Sequence, residues 1–420
     1  MTLTDTGPER RLTVLHFEKR EGFRQKIHRE LDRWKDRFPR SKEARILLKP
    51  NLNNYMNALT GNTTDLRLVA AVVSYLKETG YTDITIGDGT NSGYFRHNIS
   101  VIDFLMINRL AEYFGVKVLD FNRAESTRVI FHSEFRADVA SLCLEADLFI
   151  NMPKLKTHFE TGMTVCLKNL IGCLKGQENK KKVHRDLASN ILSLNQKIKP
   201  HLQIVDGLIA MEGMGPSRGT PVRLDTVIFG DDPFAVDIVC SRLAGIDMQS
   251  ISPLRVARAR GDLDPGLLAD ARAVRIENSR KPFVLDRGNF LVRFIHGAKR
   301  QKYFLAIRRM GPFNYLCSTR LGGKVLFSTG LRQDVFQSEA LQCRGLKLDA
   351  ERCTGCGKCS FYCPVELDLP RDFEDLEKKG CIKCLYCYFV CEQRAILFEG
   401  EFGFLKEQIR AFDSLTRSTT

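Results

Sequence analysis

The feature that most constrains this chain is a run of eight cysteines between Cys353 and Cys391, here named the cysteine cassette. One motif, Cys-x2-Cys-x2-Cys-x3-Cys, occurs in it twice. Three thiolates at two-residue gaps can bind one face of an iron–sulfur cubane, whereas the fourth lies too far round to close that face. The spacing therefore predicts two [4Fe–4S] clusters whose fourth ligands are exchanged between the two copies.

The exchange predicts two ligand sets. The first cluster takes Cys353, Cys356, Cys359 and Cys391, and the second takes Cys381, Cys384, Cys387 and Cys363. Structural zinc is the competing interpretation, but zinc sites usually use well-separated Cys-x2-Cys pairs arranged as a tetrahedron. Simple burial of the thiols would leave the spacing unexplained.

Residues 345–398 resemble the bacterial-type two-cluster ferredoxin domain, on the strength of this repeated motif and of Pro364 after the fourth cysteine. The second copy departs from the pattern, because Glu392 follows Cys391 where proline is expected. That change removes a fixed turn but no ligand. The resemblance implies a small α+β domain whose clusters transfer electrons one at a time.

Residues 1–250 alternate strand-like and helix-like segments. The apolar run at 44–51 predicts a buried strand, and residues 65–80 predict a helix with an acidic start and a terminal glycine. A strand at 81–89 and a helix at 101–115 continue the pattern. Alternation of this kind predicts an α/β fold, with a mostly parallel sheet covered by helices.

The rest of the chain divides into three predicted segments. They are a basic, partly helical connector at 251–344, the two-cluster domain at 345–398 and a C-terminal tail at 399–420. Within the connector, residues 289–310 predict a basic amphipathic helix. Such a helix can bind a membrane or a partner, or it can simply pack on the neighbouring domain, and periodicity does not separate these cases.

Polar residues follow several predicted strands, at the edge where an open α/β sheet forms its ligand crevice. The candidate substrate-binding residues are Lys49, Asn51, Asp88 and Glu212. For Glu212, which lies in a Gly/Pro-rich segment, the alternative is a residue of a simple turn.

Three further candidates alternate within the string MPKLKTH, namely Lys154, Lys156 and His158. In an extended chain their side chains project to the same side. Two ammonium groups and an imidazole suit an anionic ligand, with His158 as the proton donor or acceptor. These residues are the catalytic candidates, and a solvated basic loop is the alternative.

Five strings within residues 45–245 are similar to a family called the domain of unknown function 362, often found joined to ferredoxin domains. They are LLKPNL, IGDG, INMPKLKTHFETGMTVCLKNLIG, IVDGLIAMEGMGPSRGTPV and GDDPFAVDIVCSRLAG. The resemblance implies the fold and the pairing of domains, but no reaction. The sequence also lacks G-x4-G-K-[ST] and an opening G-x-G-x2-G, so neither a P-loop nor the usual nicotinamide site is predicted.

The net charge of +14 is concentrated in residues 280–347, which contain fourteen Lys and Arg residues and three acidic residues. Basic charge without a recognition motif is weak ground for nucleic-acid binding. No apolar run approaches the roughly 20 residues of a spanning helix, and the sequence has no pattern typical of a secretory signal. We therefore expect a cytoplasmic protein, in a compartment that keeps its thiols reduced.

These patterns favour an oxidoreductase that passes single electrons to a small-molecule acceptor or cofactor at the α/β domain. The alternative is an electron-transfer or accessory protein that docks a redox partner protein, with the basic segment as its binding surface. A weaker alternative is binding to nucleic acid or an anionic surface through that segment.

Overall fold

The computed structural model describes most of the chain, namely residues 11–17, 22–91, 97–276, 281–286 and 338–406, with the single residues Tyr94, Thr319 and Ile409. The helix predicted at 289–310 and most of the basic segment lie outside these residues.

The strands of the α/β domain are short except for one long hairpin. They are β1 (Leu12–His16), β2 (Ile46–Pro50), β3 (Ile84–Asp88), β4 (Lys117–Asp120), β5 (Ser126–His132), β6 (Phe135–Ala140), β7 (Leu148–Met152), β8 (Lys154–His158), β9 (Gly162–Thr164), β10 (Leu202–Met214) and β11 (Arg218–Gly230).

The helices alternate with these strands. They are α1 (Phe23–Arg33), α2 (Leu66–Glu78), α3 (Val101–Phe104), α4 (Ile107–Phe114), α5 (Leu142–Glu145), α6 (Cys166–Asn169), α7 (Gly176–Val183), α8 (Leu187–Lys197), α9 (Pro233–Leu243), α10 (Ser252–Arg260) and α11 (Pro265–Ala273).

The main sheet has the strand order β1-β11-β10-β7-β2-β3-β4, with β8 and β9 continuing beside β10. The run from β10 to β4 is parallel, whereas β11 is antiparallel to both β10 and β1. Strands β2, β3 and β7 are buried throughout because helices cover both faces. The predicted fold class, a mostly parallel α/β sheet, is confirmed.

Helix α2 lies at the centre of the molecule. Asp65 caps it by accepting a hydrogen bond from the backbone amide of Arg67, and every residue from Leu66 to Leu76 is buried. A helix that is apolar on all sides needs protein on all sides. Helices α1 and α4 pack against α2, and residues of the sheet and of the C-terminal domain belong to the same core.

One predicted helix is divided in the structure, and the start of the predicted connector is helical. The helix predicted at 101–115 is split into α3 and α4, because Met106 has a left-handed backbone conformation, φ 60°, which interrupts the hydrogen-bond ladder. The start of the predicted connector forms α10 and α11, which bury Leu254 and Leu267 in the core of the α/β domain.

The C-terminal domain contains β12 (Gln342–Leu348) and β13 (Ile396–Glu401), paired antiparallel, and two short helices, α12 (Lys358–Phe361) and α13 (Tyr386–Val390). Each helix follows one Cys-x2-Cys segment of the cassette. Within the described ranges, no helix is both long and apolar enough to cross a membrane.

One buried carboxylate stabilises a helix start far from the C-terminal domain. Asp237 on α9 accepts hydrogen bonds from the amides of Cys166, at 2.8 Å, and Leu167, at 3.4 Å. Burial raises its pKa to about 7, although these amides oppose the shift. The folded protein therefore favours the protonated form of Asp237, whereas the unfolded chain ionises it near pH 4.

We expect this carboxylate to make stability depend on pH. Because the folded pKa lies above the unfolded value, its contribution is present below about pH 4 and is lost as pH rises to about 7. The free energy of unfolding should therefore fall over that window in the native protein more than in Asp237→Asn. Denaturant titrations of both proteins across the window measure the difference, and parallel profiles would contradict it.

Candidate functional site

The cassette brings one fourth-position cysteine to the opposite copy of the motif. Burial raises the pKa of Cys384 well above its ordinary value, and the charges of Cys363, Cys387 and Cys381 raise it further. Burial also raises the pKa of Cys387, and the charges of Cys381 and Cys363 raise it further. Cys363, from the first copy, therefore lies among the three cysteines of the second.

The other copy has the reciprocal arrangement. Burial raises the pKa of Cys359, and its cysteine neighbours are Cys356 and Cys391. Cys391 belongs to the second copy by sequence, so both fourth-position cysteines lie with the other copy. The charge of Cys359 also raises the pKa of Cys387. The two cysteine groups are therefore adjacent.

Backbone amides donate hydrogen bonds to the sulfurs of both fourth-position cysteines. The sulfur of Cys363 accepts a hydrogen bond from the amide of Leu367 at 3.4 Å, and that of Cys391 accepts one from Ala395 at 3.3 Å. Amide donors of this kind stabilise cluster thiolates and influence their potential. Both contacts span the same number of residues, so the duplication extends to the hydrogen bonds.

The described residues hold no set of three His, Cys, Asp or Glu side chains converging on one point, as a single ion requires. A cubane makes a different demand, since each of its four irons binds its own thiolate. The grouping of Cys363 with Cys381, Cys384 and Cys387, and of Cys391 with Cys356 and Cys359, fits that demand.

The two cysteine groups differ in their surroundings. Cys356 of the first group is exposed, whereas Cys387 of the second is buried. Cys384 of the second group lines a gap that is closed on the other side by Leu52 and Leu66 of the α/β domain. The second group therefore faces the α/β domain, whereas Cys356 of the first is open to solvent.

Aromatic and charged contacts hold the C-terminal domain in this orientation. Phe404 stacks on Phe104 with ring centroids 4.1 Å apart. At the other side of the contact, Arg24 of α1 forms a 3.1 Å ion pair with Glu366. Phe404 also packs edge-on against Tyr55, with the ring centroids 5.1 Å apart.

The deepest of these contacts is made by Arg67. Its guanidinium lies 4.0 Å from the ring centroid of Tyr362 and 5.0 Å from that of Phe361, both within the cassette. Asp65 pairs with it at 2.6 Å, and both side chains are buried. Burial acts against each charge, but the pairing prevails and holds the pKa of Asp65 below its ordinary value and that of Arg67 above it.

Tyr386, which lies between Cys384 and Cys387 in the sequence, also reaches α2. Its hydroxyl accepts a hydrogen bond from the amide of Leu66 at 3.4 Å. Burial raises the pKa of this phenol well above its ordinary value, and the charges of Asp65 and Cys384 raise it further. Tyr386 is therefore close to both the second cysteine group and the buried ion pair.

Asp206, on β10, connects the start of α2 to the main sheet. Its carboxylate accepts hydrogen bonds from the amides of Asp65, at 2.6 Å, and Leu208, at 3.0 Å. It also pairs with the ammonium group of Lys154 at 2.7 Å. Arg67, Asp65, Asp206 and Lys154 thus form one buried set of two cations and two anions, here named the charge quartet.

The three residues of the MPKLKTH string lie on β8, and all are buried. Lys154 is 0% exposed, Lys156 1% and His158 5%. The ammonium group of Lys156 donates to the side-chain oxygen of Asn51 at 2.9 Å and to the backbone oxygen of Asn62 at 2.6 Å. This is an interior polar site, unlike the solvated loop that was the alternative interpretation.

His158 is held in a defined orientation. Its Nδ1 accepts hydrogen bonds from the amides of Glu160, at 3.1 Å, and Thr161, at 3.2 Å. The neutral ring must therefore carry its proton on Nε2. The imidazole stacks on Phe159 with centroids 5.0 Å apart.

Lys49 and Asp88 form a second buried ion pair, at 2.7 Å, at the ends of β2 and β3. Asp88 also accepts from the amides of Leu52, at 2.7 Å, and Gly89, at 2.9 Å. A Cβ atom at Gly172 would lie 2.3 Å from a carboxylate oxygen of Asp88, so only glycine fits there.

Asn51 joins the strand ends through an amide ladder. Its side chain donates to Asn169 at 2.8 Å, and Asn169 donates to Asn151 at 2.7 Å. Glu212 is not part of this arrangement. Its carboxylate instead accepts a hydrogen bond from the amide of Val284 at 3.0 Å.

The sequence prediction missed several residues here. Arg67 and Asp65 were not among the candidates, although an arginine within the apolar run of α2 is a recognisable signal. Lys168 and Lys180 were also missed, and burial lowers the pKa of each to about 8. No pattern in the sequence distinguishes these two lysines from surface lysines.

Comparison with known proteins identifies both domains. Residues 46–242 match the domain of unknown function (DUF362), and residues 345–396 match a 4Fe-4S dicluster domain. A thylakoid-associated protein of Synechocystis sp. is 30% identical over 260 residues, which cover 57% of this chain and 77% of that protein. An uncharacterized protein of Methanocaldococcus jannaschii is 36% identical over 53 residues, covering 13% and 20%.

The structure of the lactate racemase apoprotein from Thermoanaerobacterium thermosaccharolyticum is a weaker match. It is 12% identical with a TM-score of 0.34, over 53% of this chain and 55% of that one, which is too weak to support an argument. The dicluster match gives the protein a ferredoxin-type iron–sulfur domain. The predicted domain pairing is confirmed, and the chain belongs to the family of the domain of unknown function 362.

Proposed function

We propose that this protein is a cytoplasmic iron–sulfur oxidoreductase. It binds two [4Fe–4S] clusters and delivers single electrons to a small anionic substrate or cofactor at the strand ends of the α/β domain. The observation that carries the proposal is the contact of Tyr386 with the start of α2, from which the charge quartet leads to Lys154. An electron-transfer domain used only by outside partners does not need that contact.

Each cluster would be held by the cysteine set predicted from the spacing. The first set is Cys353, Cys356, Cys359 and Cys391, and the second is Cys381, Cys384, Cys387 and Cys363. The spatial grouping of the thiols and the amides donated to Cys363 and Cys391 support this assignment. Bound clusters supply one-electron transfer.

The α/β domain would bind the substrate beside Lys156. The buried side-chain amide of Asn62 and hydroxyl of Thr164 have no hydrogen-bond partner in the described part of the chain. Thr164 is the cross-strand partner of Lys156, so the two side chains share a face, and the backbone of Asn62 already binds the ammonium group. Buried polar atoms are normally satisfied, so this is where a polar ligand or ordered water belongs.

The neighbouring residues would then divide the work. Lys156 and Asn51 bind the anion, and Lys49, held by Asp88, contributes a second positive charge at the strand ends. His158 carries a proton on Nε2 and is the candidate donor to the reduced substrate. The burial of the whole site excludes water from it.

The same burial favours a second candidate function. With Lys154, Lys156 and His158 at most 5% exposed, no substrate reaches them in this conformation. An accessory protein would need no such access, because a redox partner protein could approach the exposed Cys356 instead.

Iron analysis tests the crossed ligand sets. The native protein should contain about eight irons and eight sulfides per chain. In the double variant Cys353→Ala/Cys391→Ala, only the first set is broken, so about four irons should remain. In Cys353→Ala/Cys363→Ala both sets are broken, and both clusters should be lost.

The matched control is Cys343→Ala, which removes a half-buried cysteine on β12, outside the cassette. It should retain the native iron content. If instead Cys353→Ala/Cys363→Ala kept four irons and Cys353→Ala/Cys391→Ala kept none, each cluster would take its ligands from one copy alone.

Reoxidation kinetics test the substrate site. Anaerobically reduced protein should be reoxidised by a small anionic metabolite, and Lys156→Met should raise the KM for it roughly 10- to 100-fold, because a charge-assisted contact is lost. Lys197→Met, at the exposed end of α8, should behave as the native protein does. Reoxidation by a partner protein only would instead support the accessory function.

A further inference from the structure

The charge quartet joins the cassette to a buried carboxylate that can change its protonation. From this geometry we propose that reduction of the cassette is coupled to uptake of one proton by Asp206, with Lys154 bound to it. One electron enters from a one-electron donor, one proton enters from solvent, and no other bond is made or broken. The inference rests on the proposed binding of the clusters, but not on any reaction of the α/β domain.

The first step of the coupling is the contact between the cassette and α2. Tyr386 accepts a hydrogen bond from the amide of Leu66 and lies within the influence of both Cys384 and Asp65. Tyr386, Leu66 and Asp65 are buried and Cys384 is half-buried, so little solvent screens a charge on one from the others. Negative charge added beside Cys384 is therefore felt at the start of α2.

The second step is the link from α2 to the sheet. The amide of Asp65 donates to Asp206 at 2.6 Å, the shortest contact that Asp206 makes with a backbone group. Burial raises the pKa of Asp206, Lys154 opposes that shift, and the Asp65 carboxylate adds to it. A further negative charge on the cassette side acts in the same direction as Asp65, because like charges favour the protonated carboxyl group.

Other ionisable groups face this region, but they are poor proton acceptors. The pKa of Asp65 is held below its ordinary value, and those of Arg67 and Tyr386 are held above theirs, so these groups keep their protonation state near neutral pH. On β11, Arg223 pairs with Asp225 at 2.7 Å and remains a cation. Among the described residues, the charged or titratable groups that act on Asp206 or on its quartet neighbours are Lys154, Asp65, Arg67, Arg223, Tyr362 and Tyr386.

The sign of the coupling follows from linkage. Reduction raises the pKa of Asp206, so between its oxidised-state and reduced-state pKa values the reduced protein binds one more proton. Within that window the reduction potential falls as pH rises, by up to about 59 mV per unit for one proton per electron. Outside the window the potential is independent of pH.

The experiment is an anaerobic redox titration followed by electron paramagnetic resonance, from about pH 4, the ordinary pKa of an aspartate, to about pH 9. In the native protein, the potential of one cluster should fall with rising pH, and Asp206→Asn should abolish the slope. Asp237→Asn is the matched control. It removes a buried carboxylate at the start of α6, outside the charge quartet, and should keep the slope.

The outcomes separate the two proposals. A chain without iron contradicts the proposed function, whereas two intact clusters with a potential independent of pH in the native protein overturn the coupling. A slope that persists in Asp206→Asn overturns it as well. Should that variant fail to bind iron, Lys154→Met decides, because loss of the cation raises the pKa of Asp206 and must move the sloping region to higher pH.

Discussion

The rest of the structure depends on the ion pair between Asp65 and Arg67. It lies where helix α2 begins, and it is buried beneath the rings of Phe23 of α1 and of Phe361 and Tyr362 of the cassette. Removal of one partner from a buried pair costs roughly 3–5 kcal/mol, since the other charge is left uncompensated. The pair thus stabilises the helix start and the domain contact together. Neither domain can move away without exposing Arg67 from beneath Tyr362.

Much of the fold was predictable from local pattern. The strands at 44–51 and 81–89 and the helix at 65–80 appeared where apolar runs and caps placed them, because these signals act over a few residues. The break at Met106 was not predictable, since a left-handed methionine is stabilised by its surroundings and not by its own preference. Helices α10 and α11 lie in the connector, which was predicted to be partly helical, but the prediction gave them no bounds.

The candidate site shows a sharper division. The cysteine spacing predicted iron–sulfur binding, and the dicluster match supports it. Lys154, Lys156 and His158 could be picked out because they alternate along one strand. The partner of Lys156 just before α2 could not, because Asn62 lies 94 residues away in the chain. Long-range proximity of polar groups leaves no trace in a single sequence.

The two copies of the cassette motif share the same left-handed backbone positions but differ in the residues there. The first copy has Gly355 and Gly357, whereas the second has Lys383 and Leu385. Glycine adopts that conformation without strain, and other residues do so at a cost of about 1–2 kcal/mol. Leu385 is 1% exposed, and Lys383 bonds to Glu377 at 2.7 Å, so both side chains are held in place by packing or pairing. A duplicated domain of this kind has approximate two-fold symmetry. The side chains present in only one copy make the two copies unequal: Tyr386 of the second, which accepts a hydrogen bond from the amide of Leu66, corresponds to Lys358 in the first.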